Sequence, residues 1–332
     1  MNARVVLLVL VTGCSTLAET AGGDQNLPSA GGGPYRKLAG GEAHGAPYVL
    51  DAQTALYRQP CTLPLGGEGD TDVALYVVMH DKTSDKDVIA RSHATDGRTF
   101  YGAIQDFGHK PPVVLADPSA DLSHPSVVRA GSEIRLYYTK NGVVGLARSQ
   151  DGLVFTDGPS VFSGPVDSAS VAILPDGSSR MLFARGGSIF EARSADGTSF
   201  QADAAPVLTG ANAFDALGVA DPYLFPRTTE AGRLQFRVLY TGSATGDDAS
   251  VTTSIGFAAR YGDSGPFVKA ATPAYAIGKH EQSPSVLEWD SGTFLYIDQD
   301  QTSQGTTYRA IACGVAPASI TLAPPSDFPP TP

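Results

Sequence analysis

Three carboxylates in the 332-residue chain occupy comparable places: Asp167, Asp221 and Glu281. Asp167 opens the run Asp167-Ser168-Ala169-Ser170-Val171, and Asp221 opens Asp221-Pro222-Tyr223-Leu224-Phe225. Glu281 stands just before Ser283-Pro284-Ser285-Val286-Leu287. Two more runs begin the same way, at Gln59-Pro60 and His124-Pro125. Aligned, the five starts place Gln59, His124, Asp167, Asp221 and Ser283 at one position, with Glu281 as the nearby Glu. If the starts converge, three acids share one space. Crowded carboxyls cannot all ionise, so their pKa values are driven apart into a proton donor and an ionised partner. Two such groups flanking a glycosidic bond can cleave it by acid–base or nucleophilic chemistry. The alternative use of Asp at a strand start is to cap backbone N–H groups. Convergence within about 10 Å, the span of glycosidase carboxyl pairs, separates the two readings.

The elements that must position these residues are repeated. ARSADGTSF (Ala192 to Phe200) recurs as ARSQDGLVF (Ala147 to Phe155), as ARSHATDGRTF (Ala90 to Phe100) and, worn, as AARYGDSGPF (Ala258 to Phe267). In each, an apolar strand ends, Ser opens a turn and Asp-Gly makes it, because the turn needs φ > 0 where Gly carries no steric penalty. A strong apolar strand precedes each Ala-ending one: ALYVVMH, IRLYYT, RMLFA, FRVLYTG and TFLYID. Five units of three or four strands at a near-regular period predict an all-β, five-bladed β-propeller. A β-sandwich is the competing architecture, and the repeated order of elements favours the propeller.

Charged residues make up 17% of the chain, and the 37 Gly and 24 Pro suit many short strands and turns. A formal charge of −11 with no basic stripe argues against nucleic acid and fits a soluble monomer. Arg4, the apolar run Val5 to Val11 and Val11-Thr12-Gly13-Cys14 resemble a bacterial lipoprotein signal, with Cys14 as the lipidated residue. An ordinary cleaved secretion signal is the alternative, and both place the mature protein outside the cytoplasm. The run is too short for a spanning helix, which takes about 20 apolar residues. The expected organisation is a signal over 1–13 and a Gly/Ala/Pro-rich tether over 14–46. The propeller follows over 47–318, and a Pro-rich tail over 319–332. Cys61 and Cys313 lie near opposite ends of the folded region, where a disulfide would close the ring in an oxidising compartment; two buried thiols are the alternative. No zinc spacing, nucleophile elbow, phosphate loop or dinucleotide fingerprint is present.

The Asp-Pro start ADPYLF (Ala220 to Phe225) and the Ala-x-Ser-x-Asp-Gly-x-x-Phe turns resemble the five-bladed propeller glycosidases of the arabinanase/β-xylosidase and invertase/levansucrase type. The resemblance spans about residues 47–315. It implies a glycan partner of arabinan, xylan or fructan type, with Asp167 as base or nucleophile, Asp221 as transition-state support and Glu281 as general acid. Gln59, His124 and Tyr223 would then contact substrate, Tyr223 by stacking. Members often hold a calcium ion on the axis, near which His124 and His280 would fall. The departure lies in the first blade, where the group carries an Asp and this chain has Gln59, with Asp51 as the substitute if the first start is aligned differently. That departure keeps a non-catalytic surface-binding or scaffold propeller open as the rival.

Overall fold

The computed structural model describes residues 32–37, 48–50, 57–66, 71–97, 100, 111–228, 232–246, 249–278, 280–289, 292–303 and 306–316. The predicted signal over 1–13, Cys14, Asp51 and the tail over 319–332 lie outside them. The described chain is a five-bladed propeller built from five antiparallel sheets in sequence order. Blade one is Tyr57–Pro64, Val73–Asp81, Lys86–Ala94 and Val113–Leu115. Blade two is Ser123–Ala130, Glu133–Lys140, Val143–Ser149 and Thr156–Phe162. Blade three is Ser168–Ile173, Ser179–Arg185, Ser188–Ser194 and Gln201–Thr209. Blade four is Gly218–Leu224, Leu234–Thr245, Val251–Tyr261 and Val268–Lys269. Blade five is Gln282–Trp289, Gly292–Ser303 and Thr306–Ala316. The first strand of each blade touches the first strands of its two neighbours, so these five strands line the axis.

Closure is by strand pairing. Arg36–Lys37 and Tyr48–Leu50 both pair antiparallel with Thr306–Ala316, adding N-terminal strands to the last blade. Tyr35 is buried between blades four and five, and its N–H donates to the Ala274 carbonyl at 2.8 Å. The propeller therefore takes in residues from the stretch read as a tether. The expected Cys61–Cys313 disulfide is absent, and both cysteines are buried thiols. Cys61 faces the core between blades one and two, whereas Cys313 faces the core between blades five and one. The two side chains are held on different faces of blade one, and the paired N-terminal strands do the closing.

Among the described residues the core divides into five apolar clusters, one between each pair of neighbouring blades. Each sheet is buried on both faces, which explains the continuous apolar runs of the middle strands. Val73 to Val78, for example, are all fully buried. The Asp-Gly turns join neighbouring blades. Gly152 of blade two offers its carbonyl to the Tyr76 hydroxyl of blade one at 3.0 Å. Gly197 of blade three does the same for Tyr137 of blade two, also at 3.0 Å, and Gly97 for Tyr296 of blade five at 2.5 Å. The Ser before each turn works locally: Ser149 and Ser194 Oγ accept the N–H of Gly152 and Gly197 at 2.9 Å. Between blades three and four, where the turn motif is worn, a buried ion cluster takes over. Glu191, 1% exposed, lies within 2.7 Å of Arg260 and 3.4 Å of Arg180.

Candidate functional site: the axial mouth

Four of the five axial strands begin with a bulge at the X-Pro pair. The pairing register breaks between Arg58 and Cys61, Ser123 and Ser126, Ala220 and Tyr223, and Gln282 and Ser285. Pro has no N–H for the ladder, and the residue before it takes a positive φ: Gln59 54°, His124 49°, Asp221 45° and Ser283 51°. Left-handed backbone at a non-glycine residue costs on the order of 1–3 kcal/mol, so something must hold it. The holding groups are side chains of the preceding blade. Asp298 of blade five accepts the Gln59 N–H at 2.9 Å, and Gln59 Oε1 accepts the His124 N–H at 2.8 Å. Ser168 Oγ accepts the Asp221 N–H at 3.0 Å, and Thr241 Oγ1 accepts the Ser283 N–H at 3.0 Å. Each bulge frees one backbone donor, and each freed donor is capped across a blade boundary.

Blade three is the exception. Its axial strand has no Pro, and the register runs unbroken from Ser168 opposite Ala184 to Ile173 opposite Ser179. This shifts the equivalent residue from Asp167 to Ser168. Gln59, His124, Ser168, Asp221 and Ser283 with their following residues line an open axial mouth. Asp167 is exposed and accepts the Gly186 N–H at 3.1 Å. Glu281 is fully buried, does not line the mouth, and accepts the Ile277 N–H through Oε1 at 2.9 Å. Of the three acids, only Asp221 reaches the mouth. Arg309 lies in the electrostatic field of both Asp221 and Glu281. Burial lowers its pKa to about 10 against their opposing pull.

The Asp221 carboxylate is fully engaged. Oδ1 lies 3.2 Å from His124 Nε2, while Oδ2 accepts from Thr241 Oγ1 at 2.9 Å and Ser283 Oγ at 3.2 Å. Burial pushes this carboxyl up, but the His124 contact and the two hydroxyls outweigh it and hold its pKa below the usual carboxylate value. His124 Nε2 is also 2.9 Å from Gln59 Nε2. The mouth is thus tied across blades one, two, four and five by Gln59, His124, Asp221 and Ser283. Tyr223 reaches the wall of the mouth, but its hydroxyl is used between blades, 3.0 Å from Thr62 Oγ1 and 3.3 Å from the Val286 carbonyl. Its ring packs on Phe225 at 5.8 Å between centroids. The residues present do not fit an axial calcium ion. Calcium takes six to eight oxygens, commonly several carboxylates, and among the described residues the lining carries one carboxylate, already bonded to His124, Thr241 and Ser283. Among the described residues no group of three or more His, Cys, Asp or Glu could hold a metal.

Sequence reading missed Thr241, Asp298 and Arg309. A signal for the first two existed. The second strand of a blade runs antiparallel to the first, so its end returns to the mouth, as Ala220 opposite Thr241 and Gln282 opposite Asp298 show. Asp298 is 2% exposed and forms an ion pair with Arg309.

No family profile and no curated protein matches the chain. Solved structures do. A Bacteroides ovatus protein classed with the glycoside hydrolases is similar with a TM-score of 0.59 at 12% identity, over 84% of this chain and 96% of that one. The xylan β-1,4-xylosidase of Bacillus halodurans gives 0.58 at 11% identity, over 82% of this chain and 53% of that one. The β-1,2-mannobiose phosphorylase of Listeria innocua, solved with β-1,2-mannobiose, gives 0.55 at 13%, over 81% and 93%. This chain has the fold of the five-bladed propeller glycoside hydrolases.

Proposed function

We propose that the chain binds a glycan at the axial mouth without hydrolysing it. One observation carries this reading: among the described residues the mouth is lined by one carboxylate, Asp221, and His124, Thr241 and Ser283 already bond to it. Hydrolysis needs a second carboxyl about 5–10 Å away on the other side of the bond. The propellers similar in fold include enzymes acting on xylan and on β-1,2-mannobiose, which supports a glycan as the ligand class. Gln59, Ser168 and Ser283 line the mouth, and beside their inter-blade bonds the Gln59 amide and the two hydroxyls keep neutral hydrogen-bonding capacity suited to sugar hydroxyls. An arabinan, xylan or fructan chain end is the substrate class to test first.

One observation favours hydrolysis as a second reading: Asp221 and Glu281 both act on Arg309, so a second acid stands behind the mouth. In that reading Glu281 is the general acid and Asp221 its partner carboxylate, since Asp167 lies off the mouth. A glycan array and a panel of aryl-glycosides and polysaccharides decide between them. Binding with no release of product supports the binding protein. Turnover that disappears in both Asp221→Asn and Glu281→Gln establishes hydrolysis, and neither binding nor turnover removes both readings. We also propose that Cys14 carries a lipid that holds the protein on the outer side of a bacterial membrane. The support is Arg4, the apolar run Val5 to Val11 and the Val-Thr-Gly-Cys sequence. Retention in the membrane fraction after Cys14→Ser would refute it.

A further inference from the structure

We propose that blades four and five enclose an internal hydration site built by Gln299, Tyr275 and Glu281, separate from the axial mouth. Gln299 is fully buried, and neither its Oε1 nor its Nε2 has a hydrogen-bond partner. The Tyr275 hydroxyl is in the same condition on a side chain 2% exposed. Such groups are rare in a folded interior, and water is their usual missing partner.

The three side chains share one space. Gln282 pairs with Asp298, so the antiparallel register carries Glu281 opposite Gln299. Side chains alternate along Gly292–Ser303. Asp298 turns to the first blade, where it caps Gln59. Gln299 therefore turns the other way, with Leu295 and Ile297, toward the core shared with blade four. Tyr275 belongs to that core, and Glu281 is bonded to the N–H of Ile277, two residues further on. The charge of Glu281 also reaches the Tyr275 hydroxyl. Burial raises the Tyr275 pKa first and this charge raises it further, so the phenol stays neutral and keeps its proton to donate.

The chemistry of the set selects the occupant. A cation would satisfy the Gln299 carbonyl oxygen and the carboxylate. It would leave the two amide N–H donors of Gln299 facing a positive charge. Water both donates and accepts, and makes about three hydrogen bonds inside a protein. It can take the amide N–H, give to the amide oxygen or to Glu281, and meet the phenol. Complete burial of Gln299 and Glu281 leaves no path for a larger ligand without separating the blades.

The test is a high-resolution crystal structure of the whole chain together with oxygen-17 relaxation dispersion, which counts long-lived internal waters. The expected result is a density peak at hydrogen-bond distance from the Gln299 amide and the Tyr275 hydroxyl. The dispersion amplitude should fall in Gln299→Met, which keeps the length and removes the amide. If that variant does not fold, the milder Tyr275→Phe carries the solution measurement, with the same fall expected. An empty site, a Gln299 amide bonded to protein, a peak with the short contacts of a metal ion, or an unchanged dispersion in the folded variant would each overturn the proposal.

Discussion

Replacing Asp221 by Asn should destabilise the propeller at neutral pH and much less in acid. The wild-type carboxylate meets His124 at 3.2 Å, Thr241 at 2.9 Å and Ser283 at 3.2 Å. Hydrogen bonds to a charged group contribute about 1.5–3 kcal/mol each. Asn keeps one acceptor oxygen, loses the charge facing His124, and presents an NH₂ where one oxygen accepted. Partial retention brings the expected loss to about 2–4 kcal/mol at pH 7. The sign with pH follows from the depressed pKa. A carboxyl whose folded pKa lies below its unfolded value of about 3.9 adds stability that is fully present above that value. It is lost as pH falls through the folded pKa. The Asn variant has nothing to titrate there, so the two proteins should converge as pH falls through that depressed pKa. Urea unfolding at neutral pH and at several acidic values, followed by Trp289 fluorescence, measures the gap. A gap that stays constant down the acid range, or no gap at pH 7, would show that Asp221 does not tie the blades as described.

The turn glycines offer a paired comparison. Gly197 and Gly131 both have positive φ, 77° and 62°, but a Cβ at Gly197 would lie 2.5 Å from the Tyr137 hydroxyl oxygen, whereas at Gly131 it would meet nothing within 4 Å. Gly197→Ala should therefore cost about 2 kcal/mol more than Gly131→Ala, whose cost is backbone strain alone; equal losses in urea would remove the inter-blade lock. Burial pushes the Cys61 thiol up to about 12, so a thiol reagent should leave it untouched in the native protein and modify it on unfolding. Fast native labelling mapped to Cys61 by mass spectrometry would contradict the burial. Glu191→Gln leaves Arg260 buried without its counter-charge, while Arg180 keeps Asp263 at 2.8 Å, and calorimetry should show a loss of about 3 kcal/mol. A neutral effect would mean that the cluster is not what joins blades three and four.

The sequence by itself determined the blades. Five apolar strand starts, five strong middle strands and the Asp-Gly turns are local signals, because bulk, β-branching and positive-φ demand act within a few residues. Their repetition made the ring legible. The Pro after Gln59, His124, Asp221 and Ser283 also marked the mouth, since a residue without an N–H forces a bulge there. Only the tertiary structure decided what the mouth contains. A missing Pro in blade three shifts the aligned position by one residue, and in a strand one residue changes the face, so Ser168 replaces Asp167 on the axis. Glu281 turns into the core between blades, and Asp298 and Thr241 arrive from strands whose ends meet the mouth only after pairing. Ring closure was equally non-local: Cys61 and Cys313 look paired along the chain, yet they point into different inter-blade cores. Which side chains share a space depends on register and on the neighbouring blade, and neither is written in the residues nearby.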